Sequence, residues 1–149
     1  MISVLICQIA CCAFMTGLIW IIQGLHYPAF RFVQDGEFNQ FHLFHTRNIS
    51  WIVMPVMLLE FLSGASLAYS LRNSQMLIIN FVGIILIWLC TFFISVPLHN
   101  NLGEGRSSNA IERLIHTNWL RTALWSARLG LLIFFLMEVL EQNHVQLVP

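Results

Sequence analysis

Four long segments with almost no charge restrict this chain to a membrane fold. Residues 1–30 and 73–103 carry no charged side chain, Glu60 is the only charge between Arg47 and Arg72, and residues 119–139 carry three. A helix needs about 20 apolar residues to cross roughly 30 Å of hydrocarbon. Each of the four segments is long enough to cross once.

A soluble bundle is excluded by composition and by pattern. The chain is 58% hydrophobic and 9% charged, and residues 76–96 are apolar on nearly every side, whereas a soluble helix keeps a polar stripe. The first segment lacks a basic start and a clear cleavage site, so it is interpreted as a retained span rather than a signal peptide. We predict an all-α integral membrane four-helix bundle, one domain over residues 1–149, with spans at about 2–25, 48–71, 75–98 and 117–141.

The arginines predict the orientation. All seven basic residues are arginines, and five of them lie in or beside the first and third loops, whereas the second loop has only Arg72. The positive-inside rule then places loops one and three in the cytoplasm and both termini outside, in what we expect to be a bacterial inner membrane. A net charge of zero gives no reason to expect a nucleic-acid partner. A homo-oligomer is left open.

The first loop carries two further signals. Tyr27-Pro28 predicts the end of helix one, because the residue before proline avoids the helical region. Phe38, Phe41, His42 and His45 fall on one side of a helix, within about 100°. This spacing predicts an interfacial amphipathic helix that runs into helix two.

Polar side chains inside the predicted spans form two stripes. Such groups are costly in a membrane, face the bundle interior and often mark function. At helical spacing, helix one places its polar residues within about 80°, and helix four does the same. The stripes consist of Gln8, Cys12, Thr16, Gln23 and His26 in helix one, and Asn118, Arg121, Trp125 and Arg128 in helix four.

Two opposite charges are predicted at the same depth. Glu60 and Arg128 lie about 18 and 15 Å along helices that start from the same membrane face. We expect either an ion pair or a polar ligand shared between them, because an isolated charge there costs about 3 kcal/mol. A structural clamp and a catalytic or ligand-binding role are both compatible with this pattern.

Histidines from three segments are predicted to meet near the cytoplasmic face. His42 and His45 have the i, i+3 spacing of bundle-core metal sites, and Glu60 is a candidate oxygen ligand. The expected ion is iron, copper or zinc, bound by His26, His42, His45, His99 and Glu60. A noncovalent haem is the alternative cofactor, with His45 and His99 as axial ligands and Trp125 lining its pocket. Capping of a helix end is the alternative role for His26 and for His99.

Two short motifs resemble a known family. Val96-Pro97-Leu98-His99-Asn100-Asn101-Leu102 ends the third span, and Asn118-Trp119-Leu120-Arg121-Thr122 opens the fourth. Together they resemble the anthrone-oxygenase-like family of small four-helix membrane proteins. The resemblance implies oxidation of an aromatic or lipophilic substrate by oxygen, with Asn100, Trp119 and Arg121 near the site. His99 within the first motif, and the histidines of loop one, depart from that pattern and favour a metal over a cofactor-free reaction.

These observations favour a membrane oxidoreductase with a metal or haem near the cytoplasmic face. Arg121 and Asn118 are expected to orient an anionic or carbonyl-bearing substrate that enters from the bilayer, because arginine presents a planar fork of donors. The predicted catalytic set is Asn100, Asn118, Arg121, Glu60 and Arg128. A small carrier or channel-like protein is one alternative function, and a structural subunit without catalysis is the other.

Overall fold

The chain folds into four long helices joined by short connections. The computed structural model describes the backbone of residues 1–145 and the side chains of residues 1–142. The helices are α1 (Ile2–Phe32), α2 (Asp35–Ser70), α3 (Gln75–Gly103) and α4 (Ser108–Val145). All four are long and apolar enough to cross a membrane. The predicted all-α four-helix membrane bundle is therefore confirmed.

The helices form a closed ring in which sequence neighbours pack together. Helix α1 contacts α2 and α4, and α3 contacts the same two helices. The connections are only a few residues long, which makes successive helices antiparallel. Because the four helices alternate in direction, both chain ends lie at the same end of the bundle. The opposite end of the bundle contains residues 33–34 and 104–107, and we call it the histidine end.

Every helix extends further at the histidine end than the sequence predicted. Helix α1 reaches Phe32 and α3 reaches Gly103, whereas α2 begins at Asp35 and α4 at Ser108. The amphipathic helix predicted for loop one is real and is continuous with helix two, in a single helix of 36 residues. The third loop is correspondingly shorter than predicted. These added turns carry most of the candidate site.

Two prolines follow π-helical turns and do not end the helices that contain them. The prediction that helix one stops at Tyr27-Pro28 is wrong, since the chain continues through a π-helical turn, Ile22–His26, and a further turn, Tyr27–Ala29. Pro28 has no backbone N–H, and the preceding turn instead bonds Tyr27 N–H to the carbonyl of Ile22. A second π-helical turn, Thr91–Ser95, precedes Pro97 in α3 in the same way.

Candidate functional site

Four imidazoles from three helices meet at the histidine end. His26 comes from the end of α1, His42 and His45 from α2, and His99 from the end of α3. His26 Nε2 lies 2.7 Å from His45 Nδ1, and His42 Nε2 lies 3.1 Å from His99 Nδ1. The ring centroids of His45 and His99 are 5.6 Å apart, which joins the two pairs into one group. We call these four residues the imidazole cluster.

Aromatic rings shield the imidazole cluster from water. Phe30 is fully buried and meets the rings of His26, His42 and His45 edge-on. Phe38, also fully buried, stacks on His42 with an angle of 11° between the rings. His42 and His45 are only 4% and 6% exposed. His42 and His45 are therefore packed in the interior, whereas His26 and His99 are half-buried at the edge of the cluster.

Tyr27 is a member of the site that the sequence analysis missed. Its hydroxyl lies 3.0 Å from His99 Nε2, the nitrogen on the far side of the ring from His42. The positive charge of Arg121 lies near this hydroxyl, and the Tyr27 side chain is buried. The sequence pattern marks Tyr27 only as part of a helix stop, and its position beside His26 is the one signal that connects it to the histidines.

The spacing of the imidazole nitrogens bears on both predicted cofactors. In the described part of the chain, no three His, Cys, Asp or Glu side chains stand in metal-binding geometry. The two N···N distances, 2.7 and 3.1 Å, are nevertheless close to the ~3.4 Å that separates two nitrogens on one tetrahedral ion. His45 Nε2 is buried without a hydrogen-bond partner. A haem would need an open slot between its axial imidazoles, and these rings are already in contact.

Arg121 connects the imidazole cluster to the polar interior. Its Nη1 donates to Ser95 Oγ at 3.2 Å and to Asn118 Oδ1 at 3.3 Å, and Asn118 in turn donates to Gln23. The guanidinium lies 5.3 Å from the centre of the Trp125 ring. Among the residues described, no carboxylate pairs with this buried cation, and its Nε has no acceptor.

A second polar group lies deeper in the bundle, between α2, α3 and α4. Arg128 Nη1 is 2.9 Å from Glu60 Oε1, which confirms the predicted ion pair. Trp125 Nε1 donates to the other Glu60 oxygen at 3.2 Å, and Arg128 Nε donates to Asn80 Oδ1 at 3.1 Å. Asn80 was missed, although a lone amide in the apolar third span was a usable signal.

Several predicted site residues do not reach the imidazole cluster. Glu60 follows His45 by fifteen residues in one helix, about 22 Å along its axis, and is held by Arg128. A single ion cannot bind both Glu60 and His45 at this distance. The prediction that Glu60 is a ligand of the same metal as the histidines is therefore wrong. Arg128 and Trp125 likewise belong to the deeper group. Trp119, which the resemblance places near the site, is half exposed and packs edge-on against Trp20.

Two grooves reach the imidazole cluster from outside. One of about 250 Å³ runs between α1 and α2, and its apolar walls, including Ile22 and Phe41, lead to His26 and His45. The other, of about 440 Å³, lies between α2 and α3 and touches His42 and His99. Asn100 is exposed and lines this second groove, so it is placed at an entrance and not in the interior.

The buried stripes agree with the predicted inward faces of helices one and four. Gln8, Cys12, Thr16 and Gln23 are buried, and so are Asn118, Arg121, Trp125 and Arg128. His26 is half-buried at the end of the first stripe.

Comparison with family models, with curated proteins and with solved structures gives no match, so the assignment of a function depends on the geometry.

Proposed function

We propose that this protein is a membrane-embedded oxidoreductase that binds a redox-active transition metal at the imidazole cluster and acts on a lipophilic substrate. The observation that carries the proposal is the convergence of His26, His42, His45 and His99, with ring nitrogens already 2.7 and 3.1 Å apart in pairs. Neutral imidazoles suit iron, copper and zinc, and of these only iron and copper change oxidation state. A bound iron or copper ion would supply one-electron chemistry with oxygen.

The surroundings of the cluster support a role beyond packing. His45 Nε2 is buried and has no partner, which is costly for a purely structural imidazole. Phe30 and Phe38 exclude water on one side. The groove between α1 and α2 offers a mostly apolar path from the bilayer to His26 and His45. A lipophilic molecule can follow such a path more readily than a charged one.

Arg121 and Asn118 supply the polar recognition in this proposal. The Arg121 guanidinium is buried without a carboxylate partner in the described chain, and it lies near Tyr27, whose hydroxyl contacts His99. An anionic or carbonyl-bearing group on the substrate would satisfy it. In the proposed orientation the histidine end faces the cytoplasm of a bacterial cell, because the first and third connections carry most of the arginines.

Metal titration of the detergent-purified full chain tests the proposal. We expect about one equivalent of iron or copper per chain, retained through gel filtration and counted by elemental analysis. The variants His45→Ala and His99→Ala are expected to lose it, because each removes a nitrogen from a different pair. His116→Ala is the matched control, since His116 is an exposed histidine in the same part of the chain.

Two outcomes would contradict the metal site. One is a wild-type chain that retains no metal under these conditions, and the other is an equal loss of metal in the His116→Ala control. Circular dichroism and the melting temperature of each variant show whether it folds. In either contradictory outcome, the imidazole pairs would act as hydrogen bonds that hold α1, α2 and α3 together, which is the structural-subunit alternative.

Tyr27→Phe is expected to weaken metal binding by about 10–100-fold without unfolding the chain. Groups that hydrogen-bond to a metal-ligating histidine orient its ring and raise its basicity, and their loss typically has this effect. Tyr27 is the partner of His99 Nε2 at 3.0 Å. Competition titration with a coloured chelator measures the affinity.

Tyr69→Phe provides the control for the loss of a phenol oxygen. Tyr69 is 85% exposed near the far end of α2, so its hydroxyl is remote from the imidazole cluster. Equal affinities for the wild type and the Tyr27→Phe variant would show that the Tyr27 hydroxyl does not position His99.

A further inference from the structure

A third groove, separate from the imidazole cluster, lies between the end of α3 and the start of α4. Its volume is about 380 Å³. Apolar side chains form one part of its wall, and amides with one arginine form the other. The residues that matter here are Phe93, Ile94, Pro97, Asn101, Asn109 and Arg113.

The arginine in this groove has an uncompensated charge. Two other arginines near the histidine end are paired, Arg31 with Glu112 at 2.7 Å and Arg106 with Asp35 at 3.0 Å. Arg113 makes no ion pair with any side chain among the described residues. It is exposed, and it faces a groove whose polar partners, Asn101 and Asn109, are neutral amides. The groove therefore presents a net positive charge.

The groove is also amphipathic along its length. Phe93 is 75% exposed in the third span, on a surface that only lipid would cover in a membrane. Arg113 and Asn109 lie in the first two turns of α4, where the chain enters from the third connection. A molecule with an anionic group at one end and hydrocarbon at the other would match both parts of the groove. Basic pockets between transmembrane helices commonly bind anionic lipid headgroups in this way.

We propose that the groove between α3 and α4 is a binding site for an anionic phospholipid. Its phosphate lies against Arg113 and the amides of Asn101 and Asn109, and an acyl chain lies along Phe93, Ile94 and Pro97. The charge complementarity and the continuity with the lipid-facing surface identify the occupant as a lipid. The site does not depend on a metal at the imidazole cluster.

Native mass spectrometry of the full chain in detergent, titrated with phosphatidylglycerol or phosphatidylcholine, tests this site. We expect preferential binding of phosphatidylglycerol, and about fivefold weaker binding in Arg113→Gln, the effect of one arginine near a membrane surface. Asn109→Asp, which adds a negative charge to the same groove, should weaken binding similarly and serves as a second variant if the first folds poorly. Arg47→Gln is the control, because Arg47 is exposed on α2 and lies outside the groove.

Three results would overturn the proposal. The first is equal binding of both lipids by the wild type. The second is an Arg47→Gln variant that loses as much affinity as Arg113→Gln, which would indicate a diffuse charge effect. The third is displacement of the lipid by millimolar inorganic phosphate, which would identify a free-phosphate site in place of a lipid site.

Discussion

Glu60→Gln is expected to lower the free energy of unfolding by about 3–5 kcal/mol. The variant leaves the Arg128 side chain, which is 4% exposed, without the carboxylate that now lies 2.9 Å away. Asn80 remains as a partner of Arg128, but a neutral amide cannot balance a buried cation. Reversible unfolding in mixed detergent micelles, followed by circular dichroism, measures the change.

The exposed ion pair offers a matched comparison for the buried one. Glu112→Gln removes the ion pair with Arg31. Both side chains of this pair are about half exposed, so the expected loss of stability is far smaller than for Glu60→Gln. The double variant Glu60→Gln/Arg128→Gln should be more stable than Glu60→Gln alone, because it also removes the unpaired charge. If Glu60→Gln unfolds like the wild type, the pair does not stabilise the bundle.

Gly83→Ala is expected to destabilise the bundle by about 1–3 kcal/mol through overpacking. A Cβ atom at this position would lie 2.6 Å from Arg128 Cδ and 2.9 Å from Cγ. Arg128 cannot easily move aside, because Glu60 and Asn80 hold its guanidinium in place. Small residues at such a crossing allow membrane helices to approach closely. The same unfolding measurement detects the effect.

Gly130→Ala separates this packing effect from a general effect of replacing glycine in a helix. No atom lies within 4 Å of a Cβ built on Gly130, so alanine fits there freely. Its stability is expected to be unchanged or slightly higher, since alanine favours the helix. Similar losses of stability in both variants would refute the close contact between Gly83 and Arg128.

The polar interior of this bundle consists of two groups with different chemistry. The deeper group is a compensated ion pair with amide and indole partners, and its members touch one another directly. The imidazole cluster has an unpartnered nitrogen, two approaching grooves and an uncompensated arginine nearby. Both groups contain buried polar atoms without a hydrogen-bond partner, among them Asn80 Nδ2 and Arg128 Nη2 in the deeper group. The two grooves, however, reach the imidazole cluster and are not lined by Glu60 or Arg128. This contrast is why the proposed function is assigned to the histidine end.

Composition and periodicity were sufficient to predict the architecture and many of the buried polar residues. Long uncharged segments must span the membrane because lipid cannot satisfy an exposed backbone. Polar residues at helical spacing then turn inward, which predicted the buried faces of helices one and four. The Glu60–Arg128 contact followed from equal depth in helices that start at the same face.

The contacts of the histidine end required the tertiary structure. The π-helical turns before Pro28 and Pro97 change the rotation of the residues that follow, so a uniform spacing could not orient Tyr27 or His99. The sequence itself separates Glu60 from His45 by fifteen residues of one helix, about 22 Å, so grouping Glu60 with the histidines by ligand type was wrong. It determined that four helices cross the membrane with polar faces inward, since hydrophobicity and helical period are local properties. Which imidazole meets which, and which arginine lacks a partner, was decided only by packing between distant segments.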